Sequence, residues 1–95
     1  DATMEDAVYV GMDKLAKVIT NGSEYLGVCM NHVPEEFINT LYNADLIIAK
    51  GHANFESLEQ DDKVKGKAFF LLKVKCEYVA RIVGAELGDV VFFTR

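Results

Sequence analysis

The residues best suited to chemistry stand where apolar runs break off. Leu46-Ile47-Ile48-Ala49 delivers Lys50 and Gly51 directly into the polar stretch His52-Ala53-Asn54. Glycine lets the backbone approach a ligand, adjacent N–H groups can form an anion nest, and a lysine ammonium is a mobile partner for phosphate. Asn54 adds an amide hydrogen bond. A second break, Asn21-Gly22-Ser23, follows Lys17-Val18-Ile19-Thr20 and offers the Ser23 hydroxyl, which also reads as an ordinary turn residue. The third follows Ala68-Phe69-Phe70-Leu71-Leu72, where Lys73-Val74-Lys75-Cys76 carries two more ammonium groups. On residue types alone Lys50 has two readings, a phosphate ligand or a lysine beside a turn glycine.

Such residues need elements to hold them. The runs 46–49 and 68–72 lack polar alternation, which predicts interior strands of a parallel sheet, buried on both faces. Residues 17–20 and 90–93 are β-rich and predict two further strands. Between them lie helical patterns. Thr3 is an N-cap type with Glu5 and Asp6 in the first turn, and the pattern continues to Met12 with an interruption at Gly11. Pro34-Glu35-Glu36 opens the clearest helix, ending near Asn43. A helical turn is expected over 54–58, an exposed loop over 60–66, and a helix over 77–83 capped by Gly84. Strands alternating with helices predict an α/β fold, a mostly parallel sheet with helices on both faces in three doubly wound layers. Ligands in such sheets lie beyond the carboxyl ends of the strands, where the three breaks fall.

Composition narrows the function classes. The 95 residues are 51% hydrophobic with a net charge of −5, which suits a small globule and argues against general nucleic-acid binding. Half of the ten basic residues, Lys63, Lys65, Lys67, Lys73 and Lys75, nevertheless cluster in thirteen positions. No apolar run reaches the roughly 18–20 residues of a membrane span, so no membrane partner is expected. Cys29 and Cys76 show no metal-ligand spacing and read as buried free thiols of a cytoplasmic protein, and neither His32 nor His52 suggests a zinc site. The chain opens without an initiator Met, as a processed or truncated chain would.

Several motifs in order carry a family resemblance. Asp1-Ala2-Thr3-Met4-Glu5-Asp6-Ala7, Val18-Ile19-Thr20-Asn21-Gly22-Ser23, the stretch from Ala44 through Lys50-Gly51-His52-Ala53-Asn54 to Glu56, and Phe70-Leu71-Leu72-Lys73-Val74-Lys75-Cys76 resemble the damage-control phosphatases, in their prokaryotic branch, along nearly the whole chain. The resemblance implies a metal-dependent phosphatase acting on small phosphorylated metabolites such as sugar phosphates. It implies that residues 1–95 are one C-terminal α/β segment of a larger phosphatase domain. Asp1 matches the later metal-ligating Asp of the family, whose Asp-Asn pair would lie upstream, so the rest of the polypeptide before Asp1 becomes an expected partner. The implied cofactor is a divalent cation, Mn²⁺, Mg²⁺, Co²⁺ or Ni²⁺. Lys50, Gly51 and Asn54 match the substrate loop and Lys75 a phosphate lysine; Ser23, from its place after Gly22, is a candidate phosphate hydroxyl or a turn residue. The sequence departs from the family at His52-Ala53, where Gln-Gly or Met-Gly is usual. Asp1 and Lys50 are thus the expected catalytic pair. The rival reading is a non-catalytic module that binds a phosphometabolite or nucleotide, and a third is a purely structural scaffold.

Overall fold

A computed structural model describes residues 1–95. Helix α1, Met4–Tyr9, starts at Thr3 with a reciprocal capping box: the Asp6 carboxylate accepts from the Thr3 N–H at 2.7 Å and from its hydroxyl at 2.9 Å. Those bonds, the backbone one first, hold the Asp6 carboxyl below its usual pKa. Gly11, at φ 80°, stops the helix and leads into a 3-10 turn, Met12–Lys14. Helix α2, Glu35–Asn43, follows Pro34 as N-cap with two glutamates in its first turn. Strand β1, Ile47–Lys50, passes into helix α3, His52–Leu58, and strand β2, Ala68–Lys73, into helix α4, Glu77–Val83. Gly84 closes α4 in the left-handed conformation, and strand β3, Val90–Thr94, ends the fold.

The α/β class holds, with a sheet of order β1-β2-β3. Strands β1 and β2 are parallel, with Lys50 opposite Leu71. Strand β3 runs antiparallel to β2, so the sheet is mixed where sequence predicted a mostly parallel one. The reason lies in residues 74–89. Val74 donates to the Asp89 carbonyl at 2.7 Å and accepts from Gly88 at 2.8 Å, so β3 starts beside the end of β2 and must run back along it.

Residues 17–20 do not form the expected strand. Their β-rich side chains have no strand to pair with in these 95 residues, and an unpaired strand leaves its backbone groups unsatisfied. The expectation that 46–49 is interior is also corrected. β1 is an edge strand here, with Ile47 and Ala49 buried and Ile48 63% exposed. β2 is central.

One face of the sheet is covered. Ile47, Ala49, Ala68, Phe70 and Leu72 pack with Phe55 and Leu58 of α3 and Val79 of α4. Phe55, Phe70 and Phe93 form a triangle of ring pairs, 5.1–5.7 Å between centroids. Val64 joins this core at 0% exposure, although sequence read 60–66 as a solvated loop. The opposite face carries Ile48, Phe69, Leu71 and Phe92, none of them buried, so the three-layer arrangement is represented by two layers here. No helix is long and apolar enough to cross a membrane.

Candidate functional site

The end of β1 is built by hydrogen bonds that leave a side chain free. Gly51 takes φ 96° and ψ 163°, a conformation that disfavours any residue with a Cβ. Its N–H donates to the Leu71 carbonyl at 2.9 Å and its carbonyl accepts from Phe55 at 3.1 Å, so one residue closes the sheet and opens α3. The Gly51 N–H is therefore taken and cannot contribute to the anion nest expected from sequence. The Asn54 amide donates to the Lys50 carbonyl at 2.8 Å. The Lys50 side chain is exposed and, by strand alternation, shares the open face with Ile48.

The end of β2 lies beside it. Lys73 closes the strand, Val74 is buried, and Lys75 is exposed. His52, the first residue of α3, reaches across so that Nε2 lies 2.8 Å from the Lys73 carbonyl and 3.1 Å from the Lys75 nitrogen.

A cleft of about 690 Å³ lies between the N-terminal residues, the loop 18–28 and α3. Asp1, Thr3, Asn21, Ser23 and Asn54 supply polar groups to it, and Val18, Ile19, Leu26 and Phe37 supply apolar ones. Its loop is shaped by side-chain turns. Thr20 Oγ1 accepts from Gly22 at 3.0 Å, Asn21 Oδ1 from Ser23 at 3.1 Å, and Ser23 Oγ from Tyr25 at 3.1 Å. The Ser23 hydroxyl proton is left to donate. The loop docks on α3 at Gly27, where an added Cβ would meet the Ala53 backbone, and through Val28, which donates to Ser57 Oγ at 3.1 Å.

Of the residues expected from sequence, Asp1, Ser23 and Asn54 meet in this cleft. Lys50, Gly51 and Lys75 are not in its wall. They lie at the neighbouring strand ends, joined to the cleft by the bond from Asn54 to Lys50. The polar side chains of the cleft, Asp1, Thr3, Asn21, Ser23, Glu24 and Asn54, offer hydroxyl, amide and carboxylate oxygens, the donor types that suit a hard divalent cation. No three His, Cys, Asp or Glu side chains cluster as a metal site, so the expected ligand Asp1 has no companion carboxylate or imidazole set here. Sequence reasoning missed Gly27, Ser57 and His52, because the partners that matter lie 21–30 residues away. Both cysteines are free and half-buried rather than fully buried, with Cys76 packed against the core.

The family model described as damage-control phosphatase ARMT1-like domain matches residues 1–91. Proteins named damage-control phosphatase are similar to this chain at 48% identity in Archaeoglobus fulgidus and 44% in Pyrococcus horikoshii, each over 96% of the chain and 31% of the relative. An uncharacterised protein of Methanocaldococcus jannaschii is 46% identical over the whole chain and 32% of its own length. The crystal structure of a DUF89 family protein from Pyrococcus horikoshii superposes with a TM-score of 0.90 at 42% identity, covering 99% of this chain and 32% of that one. The chain thus spans about a third of the length of the relatives it matches. With motifs, fold and nearly every residue aligned, the chain belongs to the damage-control phosphatase ARMT1-like family.

Proposed function

We propose that this chain forms the phosphate-handling part of a divalent-metal-dependent phosphatase that hydrolyses phosphate monoesters of small metabolites. One observation carries the reading: the adjacent carboxyl ends of two parallel strands lead into Lys50 and Lys75, and the bond from Asn54 ties the Lys50 end to the cleft that Asp1, Ser23 and Asn54 line, while His52 ties Lys75 to the same loop. Ligands of parallel sheets bind at such ends. Lys50 and Lys75 take charge from the phosphoryl oxygens, and Ser23 donates its free hydroxyl proton. Asn54 holds the Lys50 carbonyl and thereby the loop. Asp1 is the ligand for the cation, which when bound neutralises the charge of the phosphoryl group.

The remaining ligands and the far wall of the cleft belong, in this reading, to polypeptide upstream of Asp1. The open apolar face and the one-third coverage of the relatives support that partner. The net charge of −5 favours a small phosphorylated metabolite over a nucleic acid, and free thiols suit the cytoplasm. The test is hydrolysis of p-nitrophenyl phosphate by the intact protein with EDTA, then with Mg²⁺ or Mn²⁺ restored. Activity should require the metal, and Asp1→Asn should lower it by about 10²-fold. Phosphate binding without turnover would favour the non-catalytic module instead.

A further inference from the structure

His52 bonds to no other side chain, yet its ring connects the two strand ends that carry the lysines. It starts α3 immediately after Gly51, so its position is tied to the Lys50 loop through one peptide unit. Its Nε2 contacts the backbone of both residues that flank buried Val74. Val74 is held from the other side by Gly88 and Asp89. The Lys73–Lys75 segment is therefore gripped on two sides, and His52 is the grip that comes from the Lys50-Gly51 side.

We infer that His52 is a positioning residue that fixes the Lys75 backbone relative to the Lys50-Gly51 loop, so that both ammonium groups address one phosphate. This rests on the phosphatase reading above and adds a specific dependence to it. The chemistry of the contact makes it testable. A single imidazole nitrogen donates or accepts, never both at once. The inferred role takes the tautomer in which Nε2 accepts from the Lys75 N–H, the direction that holds the Lys75 backbone, and the Lys73 carbonyl then has no donor from the ring. A glutamine amide has a separate donor and acceptor on adjacent atoms and can serve both. His52→Gln is thus the rescuing variant, while His52→Ala and His52→Met remove the bridge.

The experiment uses the intact protein with inorganic phosphate as competitive inhibitor of p-nitrophenyl phosphate hydrolysis, and follows amide hydrogen exchange at Lys75. His52→Ala and His52→Met should each speed exchange at Lys75 and weaken phosphate inhibition about threefold to tenfold, the worth of one hydrogen bond. His52→Gln should keep both at the wild-type level or better. In a Lys75→Ala background, His52→Ala should bring no further loss of phosphate affinity, because the group it positions is gone. A merely structural role would give additive losses in that cycle and overturn the inference. Unchanged exchange at Lys75 in both loss variants would overturn the bridge itself. Unchanged inhibition with faster exchange would overturn its link to phosphate. Hydrolysis by the wild-type protein that phosphate does not inhibit overturns the inference alone. If the wild-type protein does not hydrolyse p-nitrophenyl phosphate with metal present, the phosphatase reading fails and this inference falls with it. That outcome is distinct because it is seen before any substitution is made.

Discussion

Gly27→Ala tests how the cleft wall is held. Gly27 sits at φ 69°, in the left-handed region, where a Cβ costs roughly 1–2 kcal/mol. The new methyl group would also lie 2.9 Å from the Ala53 carbonyl carbon, and closer still to the Ala53 oxygen and Ser57 Oγ. Ala53 is part of the α3 backbone, and α3 is anchored by buried Phe55 and Leu58, so the loop and not the helix must move. Overpacking of this kind adds roughly 1–3 kcal/mol. Displacing the loop also breaks the bond from Val28 to Ser57, worth about 1 kcal/mol. The terms overlap, because moving the loop relieves the clash, so about 3–4 kcal/mol in all is expected. Gly66→Ala is the control: its φ is 86°, but nothing lies within 4 Å of the added Cβ, so only the backbone cost of roughly 1–2 kcal/mol applies. Urea unfolding of the intact protein measures both, with midpoints compared at an unchanged slope. Equal destabilisation by the two substitutions would refute the close approach between loop and helix.

Three further outcomes are expected. Lys50→Met keeps the apolar stem and should leave folding intact while lowering phosphatase turnover about 10²-fold, whereas Lys63→Met should change turnover little; equal turnover in both variants and wild type would remove Lys50 from the site. Tyr42 donates to Asp61 at 2.8 Å, and that bond, aided by burial and by the Asp61 charge, raises the phenol pKa above 10.0. A raised folded pKa means stability present below the unfolded value and lost as pH climbs through the folded one. Tyr42→Phe should therefore cost up to about 1 kcal/mol at pH 7, and the cost should fade as pH climbs through the raised phenol pKa, read from unfolding midpoints across an alkaline pH series. Finally, Phe92 is 60% exposed on the open sheet face. If upstream polypeptide covers that face, Phe92→Ala should destabilise the intact protein by roughly 3–5 kcal/mol, and a change within about 0.5 kcal/mol would mean the face stays wet.

The amino-acid sequence alone determined the elements whose signals are local. Thr3 with Asp6, Pro34 before two glutamates, and Gly84 after an amphipathic run marked helix ends because caps act within three or four residues. The runs around Ile47 and Phe70 declared strands through their short apolar, β-rich composition, although only the second is central in this sheet. Lys50-Gly51 was legible as a strand end for the same reason: the break from apolar to polar is written in the chain. Pairing was not legible. Whether 17–20 joins a sheet depends on a partner strand, and the reversal of β3 depends on Gly88 and Asp89 meeting Val74, contacts whose energy is absent from any short window. The same holds for the site. Asp1, Ser23 and Asn54 could be named one by one, but their meeting in one cleft depends on Gly27 closing against Ala53. His52 looked isolated because its partners, Lys73 and Lys75, lie a crossover away, and only the parallel pairing of β1 with β2 brings them within hydrogen-bond reach.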